Sequence, residues 1–311
     1  MHKDATRGRT EVSAPEPAAR TAPSLLLVID PVARRSDGES VRIAKDVLGA
    51  GASVKICLPE GPEEFARALS RRGARRPVVV GDDRSLLRAV TLLHRERELS
   101  SAVLSLVPVG GAMTLARSLG VPTDPVAAAR AVLEGSWRRL DLLVDDSDGV
   151  VLGELRIPPG GPGQESSAHG HWLRACHSVV RALAARSGAR LERPVRPARA
   201  SRPTRPTGPG AGPARLRIEA DGVTLVDLDQ RVDGVQVRPC ASSAAGHTPG
   251  HAHVEVRQSS PGAEIPPLHT EVTTLTVSGE DFRYRADSLV GGPVRTRTWT
   301  VRAGAWSLML P

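Results

Sequence analysis

The sequence predicts two domains of different fold class: an α/β domain built on a doubly wound parallel sheet, followed by an antiparallel, sandwich-like β domain. Short apolar strands alternate with helical segments up to residue 150, which is typical of a parallel sheet covered by helices. From residue 214 onward, strand-like segments follow one another with glycine-containing turns between them. A length of 311 residues and an apolar content of 40% fit two folded domains.

The first domain is expected over residues 23–150, after a disordered tail at residues 1–22. Runs rich in valine and leucine predict its strands, and apolar residues at helical spacing predict its helices. The expected strands are SLLLVID at 24–30, SVKICLPE at 53–60, RRPVVVG at 75–81 and AVLSLVPVGG at 102–111. The expected helices are VRIAKDVLGAG at 41–51, PEEFARALSRRG at 62–73, SLLRAVTLLHRE at 85–96, LARSLG at 115–120 and DPVAAARAVLEGS at 124–136.

The second domain is expected over residues 151–311. RRLDLLVDD at 138–146 and GVVLGELRI at 149–157 form a pair of strands that leads into it, and a helix follows at 169–188. The remaining segments predict strands, with turns at the glycine-containing pairs. These segments are ARLRIEADGVTLVDL with an Asp221–Gly222 turn, HVEVRQ, TLTVSGEDFRYRA with a Gly279–Glu280 turn, and RTRTWTVRAGAWSLML with an Ala303–Gly304 turn.

A basic, proline-rich linker is expected at residues 189–213. Arginine recurs at every third position from Arg190 to Arg205, with prolines between. Because a polyproline II helix has three residues per turn, these guanidinium groups would share one edge, which suits an anionic membrane surface. The alternative is a disordered linker whose spacing has no function. The net charge of +8 also favours an acidic partner.

The sequence predicts a cytoplasmic protein. Any membrane association would be peripheral. The apolar run at 25–29 is far shorter than the ~20 residues that span a bilayer, and the segment before it lacks the apolar core of a signal peptide. With one Tyr, two Phe and four Trp, the chain offers few aromatic rings for stacking on bases, so nucleic acid is not the expected partner. A homodimer remains open.

The segment VVVGDDRS at residues 78–85 is the leading candidate for a binding site. An apolar strand passes through Gly81 directly into a helix, and backbone N–H groups at a helix N-terminus bind phosphate. Asp82 places a carboxylate where a phosphate would approach, and the two charges repel. Arg84 either binds phosphate itself or pairs with Asp82.

Four motifs in order resemble those of the diacylglycerol kinase and related bacterial lipid kinases, which share a nucleotide-binding fold with NAD kinases. Asp30-Pro31 stands where the family begins an Asn-Pro turn, and GDDRSLLRA aligns with GGDGT and the helix after it. PVGGAMTLARSLGVP resembles PxGTxNDxARxLGxP, and the last 30 residues resemble the closing strands, with Asp287, Ser288 and Leu289 at the DGE motif. The resemblance covers most of residues 24–150 and 270–311.

This resemblance implies a lipid kinase that transfers the γ-phosphoryl group of ATP to a hydroxyl of a lipid such as diacylglycerol. It implies that Asp83 takes part in catalysis and holds Mg²⁺, while Asp287 either partly replaces the missing base or only caps a turn. The residues implied to contact the nucleotide are Asp30, Gly81, Arg84, Ser85, Gly110 and Gly111.

Departures from the motifs favour a second hypothesis, a catalytically inactive family member that binds a nucleotide, a lipid or a protein. Asp82 and Arg84 replace glycines that would let backbone amides approach phosphate. Met113 replaces an asparagine, and Leu289 replaces the glutamate that would take the proton from the lipid hydroxyl. A base that orients the nucleophile commonly contributes ~10²–10⁴-fold in rate, and a leucine supplies none of it.

Overall fold

The computed structural model describes residues 22–111, 113–159, 214–240, 248–260, 262 and 265–311. The chain divides into two compact units, Met1–Leu140 with Ala305–Pro311, and Asp141–Gly304. The division falls at Leu140, ahead of the expected boundary at 150, and the last residues of the chain return to the first unit. Nearly all of the expected tail at 1–22, the expected helix at 169–188 and the whole arginine-rich linker at 189–213 lie outside the described residues.

The first unit contains a parallel sheet, as the alternation of strands and helices predicts. Its strands are β1 (Ser24–Ile29), β2 (Ser53–Cys57), β3 (Arg76–Gly81), β4 (Val103–Pro108) and the end of β14 (Leu289–Leu310). They lie in the order β2-β1-β3-β4-β14, and every pair is parallel. The carboxyl ends of β1, β3 and β4 therefore meet at one edge of the sheet.

Among the described residues of the first unit, six α-helices accompany this sheet. They are α1 (Pro31–Ser36), α2 (Gly38–Gly51), α3 (Pro62–Ser70), α4 (Asp83–Arg95), α5 (Thr114–Ser118) and α6 (Pro125–Glu134), with a 3-10 turn at Leu99–Ser101. Helices α2 and α6 share a buried core with alternate residues of β1 and β3, including Leu25, Leu27 and Val78. Helix α3 contacts β1 and α4, and α4 contacts β3. The core is aliphatic, in keeping with the composition.

The segment between β1 and the helix expected at 41–51 is itself helical. Pro31 begins the short helix α1, and the Asp30 carboxylate accepts the N–H of Val32 at its N-terminus. Asp37 then caps α2 through the N–H of Ser40 at 3.0 Å. Proline at the first helical position and aspartate at the cap both favour helix initiation, so α1 precedes the expected helix and α2 begins at Gly38 rather than at Val41.

The described part of the second unit is built of β-strands, most of them paired antiparallel. They are β5 (Ser136–Asp145), which begins in the first unit, β6 (Val150–Val151), β7 (Leu155–Ile157), β8 (Ala214–Ala220), β9 (Val223–Val226), β10 (Arg231–Pro239), β11 (Ala252–Ser259), β12 (Leu268–Val272), β13 (Thr274–Ala286) and most of β14. The order β12-β11-β10-β7-β13-β14 has β8 pairing with β10, β13 and β9. One buried cluster, which includes Trp299 and Tyr284, forms the core.

Two of the expected turns are wrong. β13 runs without a turn past Gly279–Glu280, and β14 runs without a turn past Ala303–Gly304. The register of β13 against β14 shifts between Ser278 and Phe282, which is a bulge rather than a reversal. A Cβ at Gly279 would lie 2.9 Å from the carbonyl oxygen of Arg215, so this glycine permits a close approach of β8. The Asp221–Gly222 turn between β8 and β9 is confirmed.

Candidate functional site

Three loops in the first unit carry most of the residues that the sequence singled out. They follow β1, β3 and β4 at the carboxyl edge of the parallel sheet, where α/β proteins commonly bind ligands. The amide N–H of Val109 donates to the carbonyl oxygen of Gly81 at 3.0 Å, and that of Asp30 donates to Val80 at 2.9 Å. The fold therefore brings the Asp30, Gly81 and Gly110 loops together.

Asp30 is a buried structural carboxylate. Its side chain is 3% exposed and accepts the N–H of Val32 at 2.7 Å, which caps α1. Its second oxygen pairs with the Arg88 guanidinium on α4 at 3.1 Å, and Arg88 lies over the Phe65 ring on α3. Asp30 thus connects α1 with α4, and its carboxylate is already bound at both oxygens. Sequence reasoning missed Arg88 as the partner of Asp30, because in the sequence Arg88 resembles any exposed arginine of a helix.

Gly81 is required by close packing at the end of β3. A Cβ there would lie 2.6 Å from Ser85 Oγ and 3.0 Å from Asp30 Cβ. Ser85 is fully buried beneath it. In a phosphate-binding loop, a glycine at position 81 would let the ligand approach the backbone. Here close packing against Ser85 and Asp30 also requires glycine at this position.

Asp82 determines the chemistry of this turn. Its Oδ1 accepts the N–H groups of Arg84 and Ser85, both at 3.1 Å, and the Ser85 hydroxyl at 3.2 Å. Both N–H groups belong to the first turn of α4, where backbone N–H groups can bind an anion, and that of Ser85 also donates to the carbonyl oxygen of Asp82 at 3.0 Å. The carboxylate of the chain itself thus caps the helix N-terminus at which the sequence predicted phosphate binding.

Arg84 does not pair with Asp82 through its side chain. Asp82 contacts the backbone N–H of Arg84, and within the described ranges the Arg84 guanidinium forms no ion pair. The side chain is partly exposed. Of the two roles considered for Arg84, the one in which it is available to an external anion is compatible with this geometry.

Asp83 links the start of α4 to the start of α5. It is 6% exposed, and its two oxygens accept the N–H groups of Leu115 at 2.9 Å and Ala116 at 3.0 Å. Burial raises the pKa of this carboxyl, while the backbone N–H groups act in the opposite direction. Met113, at the N-cap position of α5, makes no capping bond with its side chain, so Asp83 performs the capping from a neighbouring helix.

The glycine loop after β4 has open space beside it. Gly110 has a φ of +115°, and a Cβ there would lie 3.7 Å from Asp82 Cβ. A Cβ at Gly111 would meet nothing within 4 Å. Gly110 is thus required by its backbone conformation, and the space at Gly111 is the feature of this site that leaves room for a ligand.

Asp287 lies in the second unit, in the turn between β13 and β14. Its carboxylate accepts the N–H groups of Leu152, Gly153 and Glu154, each at 2.8 Å, and its own N–H donates to Glu154 at 2.7 Å. A carboxylate with three amide donors stabilises a loop. The sequence had left open a catalytic and a turn-capping role, and these contacts match the turn-capping one, extended to a neighbouring loop.

Comparison with known proteins shows which family the first unit is similar to. Residues 24–144 match the diacylglycerol kinase catalytic domain. The "Probable lipid kinase YegS-like" of Stenotrophomonas maltophilia is 31% identical over 121 residues, which are 38% of this chain and 39% of that protein. The match therefore spans well under half of the length of that relative.

Solved structures show the same fold over nearly the whole chain. One, described as "a putative diacylglycerol kinase from Bacillus anthracis", superposes with a TM-score of 0.63 at 13% identity and covers 93% of this chain and 97% of that one. A second, of "a diacylglycerol kinases" from the same organism, gives a TM-score of 0.61 with the same coverage. At this identity the likeness establishes a fold of mixed α/β content with a large β-rich C-terminal part.

Two further observations concern the predicted magnesium and membrane contacts. Among the described residues, no cluster of three or more His, Cys, Asp or Glu side chains is arranged to hold a metal ion. None of the described helices combines the length and the apolar character needed to cross a bilayer.

Proposed function

We propose that this chain is a non-catalytic member of the diacylglycerol kinase catalytic-domain family, which keeps the fold and acts by binding rather than by phosphoryl transfer. One observation carries the proposal: Asp82 Oδ1 accepts the N–H groups of Arg84 and Ser85. To bind these N–H groups, a triphosphate would have to displace the Asp82 carboxylate. The phosphate and the carboxylate are both negative, and two like charges at about 4 Å repel by roughly 1 kcal/mol even in water.

The remaining motif residues support the same proposal. The oxygens of Asp83 are held by Leu115 and Ala116, so in this arrangement they serve helix α5 rather than Mg²⁺. Asp287 is held by three amides of the 152–154 loop, and Leu289 next to it brings no proton acceptor. A reaction that depends on charge stabilisation and an oriented nucleophile would lack both a metal ligand and a base.

A second candidate function is an ATP-dependent lipid kinase acting on diacylglycerol or a related lipid. The family match over residues 24–144 favours it, as do the unpaired Arg84 side chain and the open space at Gly111. In this function ATP would lie against the Gly110–Gly111 loop, and Asp83 would have to exchange an amide for Mg²⁺. The arginine-rich linker at 189–213 would meet an anionic membrane.

Two details of the architecture are also proposals: the winding of the parallel sheet and the sandwich-like form of the second unit. We infer that the parallel sheet is doubly wound, because α2 and α6 share a core with alternate residues of β1 and β3, while α3 and α4 contact those same strands. The second unit is proposed to be sandwich-like, because its antiparallel strands enclose a single buried cluster.

A nucleotide titration tests the non-catalytic proposal. Thermal unfolding of the full chain is measured with ATP or ADP and Mg²⁺, where a ligand at 100 times its Kd stabilises a fold by about 2.7 kcal/mol. We expect no shift for the wild type at millimolar nucleotide and a measurable shift for Asp82→Gly, which frees the amides of Arg84 and Ser85. Asp124→Gly, which removes a comparable cap from α6, is the matched control and should gain nothing.

A transfer assay separates the two functions. Labelled phosphate is followed from ATP into vesicles that contain diacylglycerol. Transfer by the wild type that disappears in Arg84→Gln would contradict the non-catalytic proposal and support the kinase. No transfer above the level of a heat-denatured sample, together with no nucleotide shift, would support the non-catalytic reading.

A further inference from the structure

An exposed tryptophan lies near the start of β5, in the first unit. Trp137 is 55% exposed, whereas Trp299 and Trp306, the other two tryptophans that the structure describes, are 0% exposed. Tryptophan is highly buried on average, because its large ring gains free energy when it leaves water. The exposure of Trp137 therefore needs an explanation other than packing within this unit.

Both faces of the strand are exposed around this ring. Residues Ser136 to Arg139 are all exposed, and the next residue, Leu140, is buried. Because side chains of a strand alternate between its faces, Trp137 and Arg139 lie on one face and Arg138 lies on the other. The strand thus presents one aromatic ring and two guanidinium groups to solvent within three consecutive residues.

The same segment lies on a strand with an open edge. β5 pairs with β14 and with β6, and the pairing with β6 is at Leu143 and Val144, beyond the exposed residues. Within the described ranges, no other strand pairs with β5. Charged side chains on an open edge hinder pairing with a further strand, which is a sufficient reason for Arg138 and Arg139. It is no reason for Trp137, because an exposed ring favours association.

The backbone just before Trp137 is fixed by close packing. A Cβ at Gly135 would lie 2.1 Å from the carbonyl oxygen of Leu310 and 2.4 Å from that of Ala131, so β5 begins in direct contact with the end of β14 and with α6. The N–H of Gly135 also donates to the carbonyl oxygen of Ala131 at 3.0 Å. The exposed segment is therefore positioned before any partner arrives, which lowers the entropic cost of binding.

We infer that Trp137, Arg138 and Arg139 form a contact surface for an anionic membrane. Tryptophan concentrates at membrane–water interfaces, where its ring enters the headgroup region while its indole N–H stays hydrated. Arginines beside it are attracted by anionic headgroups, and the net charge of +8 adds a longer-range attraction of the same kind. The inference goes beyond the proposed function, because this surface is the same whether or not the chain transfers phosphate.

Charge favours a membrane over other partners that bind tryptophan. A symmetric dimer through this segment would bring Arg138 and Arg139 of both copies together, and like charges repel. A single-stranded nucleic acid stacks successive bases on several aromatic rings, and Trp137 is the one exposed Phe, Tyr or Trp in the part of the chain that the structure describes. An anionic bilayer needs only one ring at its surface and gains from both arginines.

Flotation of the full chain with lipid vesicles tests the inference. The vesicles are an equal mixture of phosphatidylcholine and phosphatidylglycerol, and vesicles of phosphatidylcholine alone are the neutral reference. We expect the wild type to float with the anionic vesicles and to bind the neutral ones more weakly. Affinity for the anionic vesicles should fall by about tenfold or more in Arg138→Gln/Arg139→Gln, since each basic residue near such a surface contributes about fivefold. It should fall by about tenfold in Trp137→Ala, which removes the ring from the headgroup region.

Two matched variants control for charge and for apolar area. Arg34→Gln/Arg35→Gln removes two adjacent exposed arginines from α1, and Val223→Ala shortens a side chain that is 65% exposed. Both should float like the wild type. All substituted residues are exposed, so each variant should fold, and circular dichroism checks this. No flotation of the wild type, an unchanged affinity in Trp137→Ala or in the variant of Arg138 and Arg139, or an equal loss in Arg34→Gln/Arg35→Gln would overturn the inference.

Fluorescence quenching shows whether the ring itself enters the bilayer. Lipids with brominated acyl chains quench a tryptophan that they contact, and the signal of Trp137 is the difference between the wild type and Trp137→Phe. We expect this signal to be quenched in the anionic vesicles. Absence of quenching would contradict the inference, as would binding of a single-stranded oligonucleotide or of a second copy that is lost in Trp137→Ala while no flotation is seen. Neither flotation nor quenching involves a nucleotide, so their outcome is separate from that of the nucleotide titration.

Discussion

At the scale of single residues, Gly81 shows that a motif glycine can be required by packing alone. Ser85 and Asp30 lie within 3.0 Å of the position that a Cβ would occupy. A Cβ at Gly111, in the neighbouring loop, would meet nothing within 4 Å among the described residues beyond its chain neighbours. The two glycines of the expected nucleotide site therefore differ in what they tolerate.

Gly81→Ala should destabilise the protein by about 1–3 kcal/mol, because the added methyl group overpacks a filled position. Gly111→Ala should change stability by less than about 0.5 kcal/mol, as expected for a substitution away from packed features. Thermal denaturation of both variants checks this. Similar losses in the two variants would contradict the packing explanation.

Asp83 is a buried acid whose partners are the backbone amides of another helix. Asp83→Ala should cost about 1–3 kcal/mol, since it leaves the N–H groups of Leu115 and Ala116 buried and unbonded. Asp124→Ala, which removes an exposed cap bonded to Ala127, should cost only about 1 kcal/mol. Urea denaturation measures both. A loss in Asp83→Ala no larger than in Asp124→Ala would show that this carboxylate is not needed for structure.

At the scale of elements, the β13–β14 turn and the loop before β7 depend on each other through Asp287. Its carboxylate accepts three hydrogen bonds, which tie the backbone of Leu152, Gly153 and Glu154 to this turn. The left-handed backbone of Asp287 opposes this arrangement slightly, because a side chain is disfavoured there.

Asp287→Gly should therefore destabilise the protein less than Asp287→Ala, since glycine relieves the backbone conformation while both variants lose the bonds. In both variants, amide hydrogen exchange at residues 152–154 should accelerate. The free energy of unfolding of Asp287→Ala should be about 1–3 kcal/mol lower than that of the wild type. Exchange followed by mass spectrometry or NMR gives the measurement. Unchanged exchange at 152–154 would mean that other contacts hold the loop.

At the scale of the whole molecule, two acidic groups in the second unit couple stability to pH. Burial opposes ionisation of Glu154 and Asp221, but hydrogen bonds to each outweigh it, so the pKa of each lies below the ordinary values of 4.5 and 3.8. A lowered pKa in the folded state contributes stability above the ordinary pKa, and this contribution is lost as pH falls through the folded value. Asp83, whose pKa is raised, acts in the opposite direction.

The unfolding temperature should therefore fall between about pH 5 and about pH 3, and the growing positive charge of a basic chain adds to the loss. Glu154→Gln and Asp221→Asn should each show a smaller fall than the wild type over this range. Thermal unfolding in matched buffers gives the comparison. Parallel curves for wild type and variants would show that these acids are not responsible.

The sequence predicted much of the first unit because its signals are local. Valine-rich runs bounded by glycine and proline gave the strands, and proline or aspartate marked helix starts at Pro62 and Asp124. It failed at Gly279 and Gly304, which lie inside strands. The sequence does not distinguish a glycine in a turn from a glycine that allows a neighbouring strand to approach closely, because the neighbouring strand is distant in sequence.

The candidate site shows the same difference between what local sequence signals predict and what the tertiary structure determines. By itself the sequence determined the α/β and β order, the family resemblance, and the positions of Asp30, Gly81, Asp82, Asp83, Gly110 and Asp287, because strand and helix periods and motif spacing lie along the chain. Only the tertiary structure decided what the carboxylates do. Asp30 meets Arg88, Asp83 meets α5 and Asp287 meets the 152–154 loop, and these partners are far away in sequence. A carboxylate acts according to the donors around it, and the fold supplies those donors.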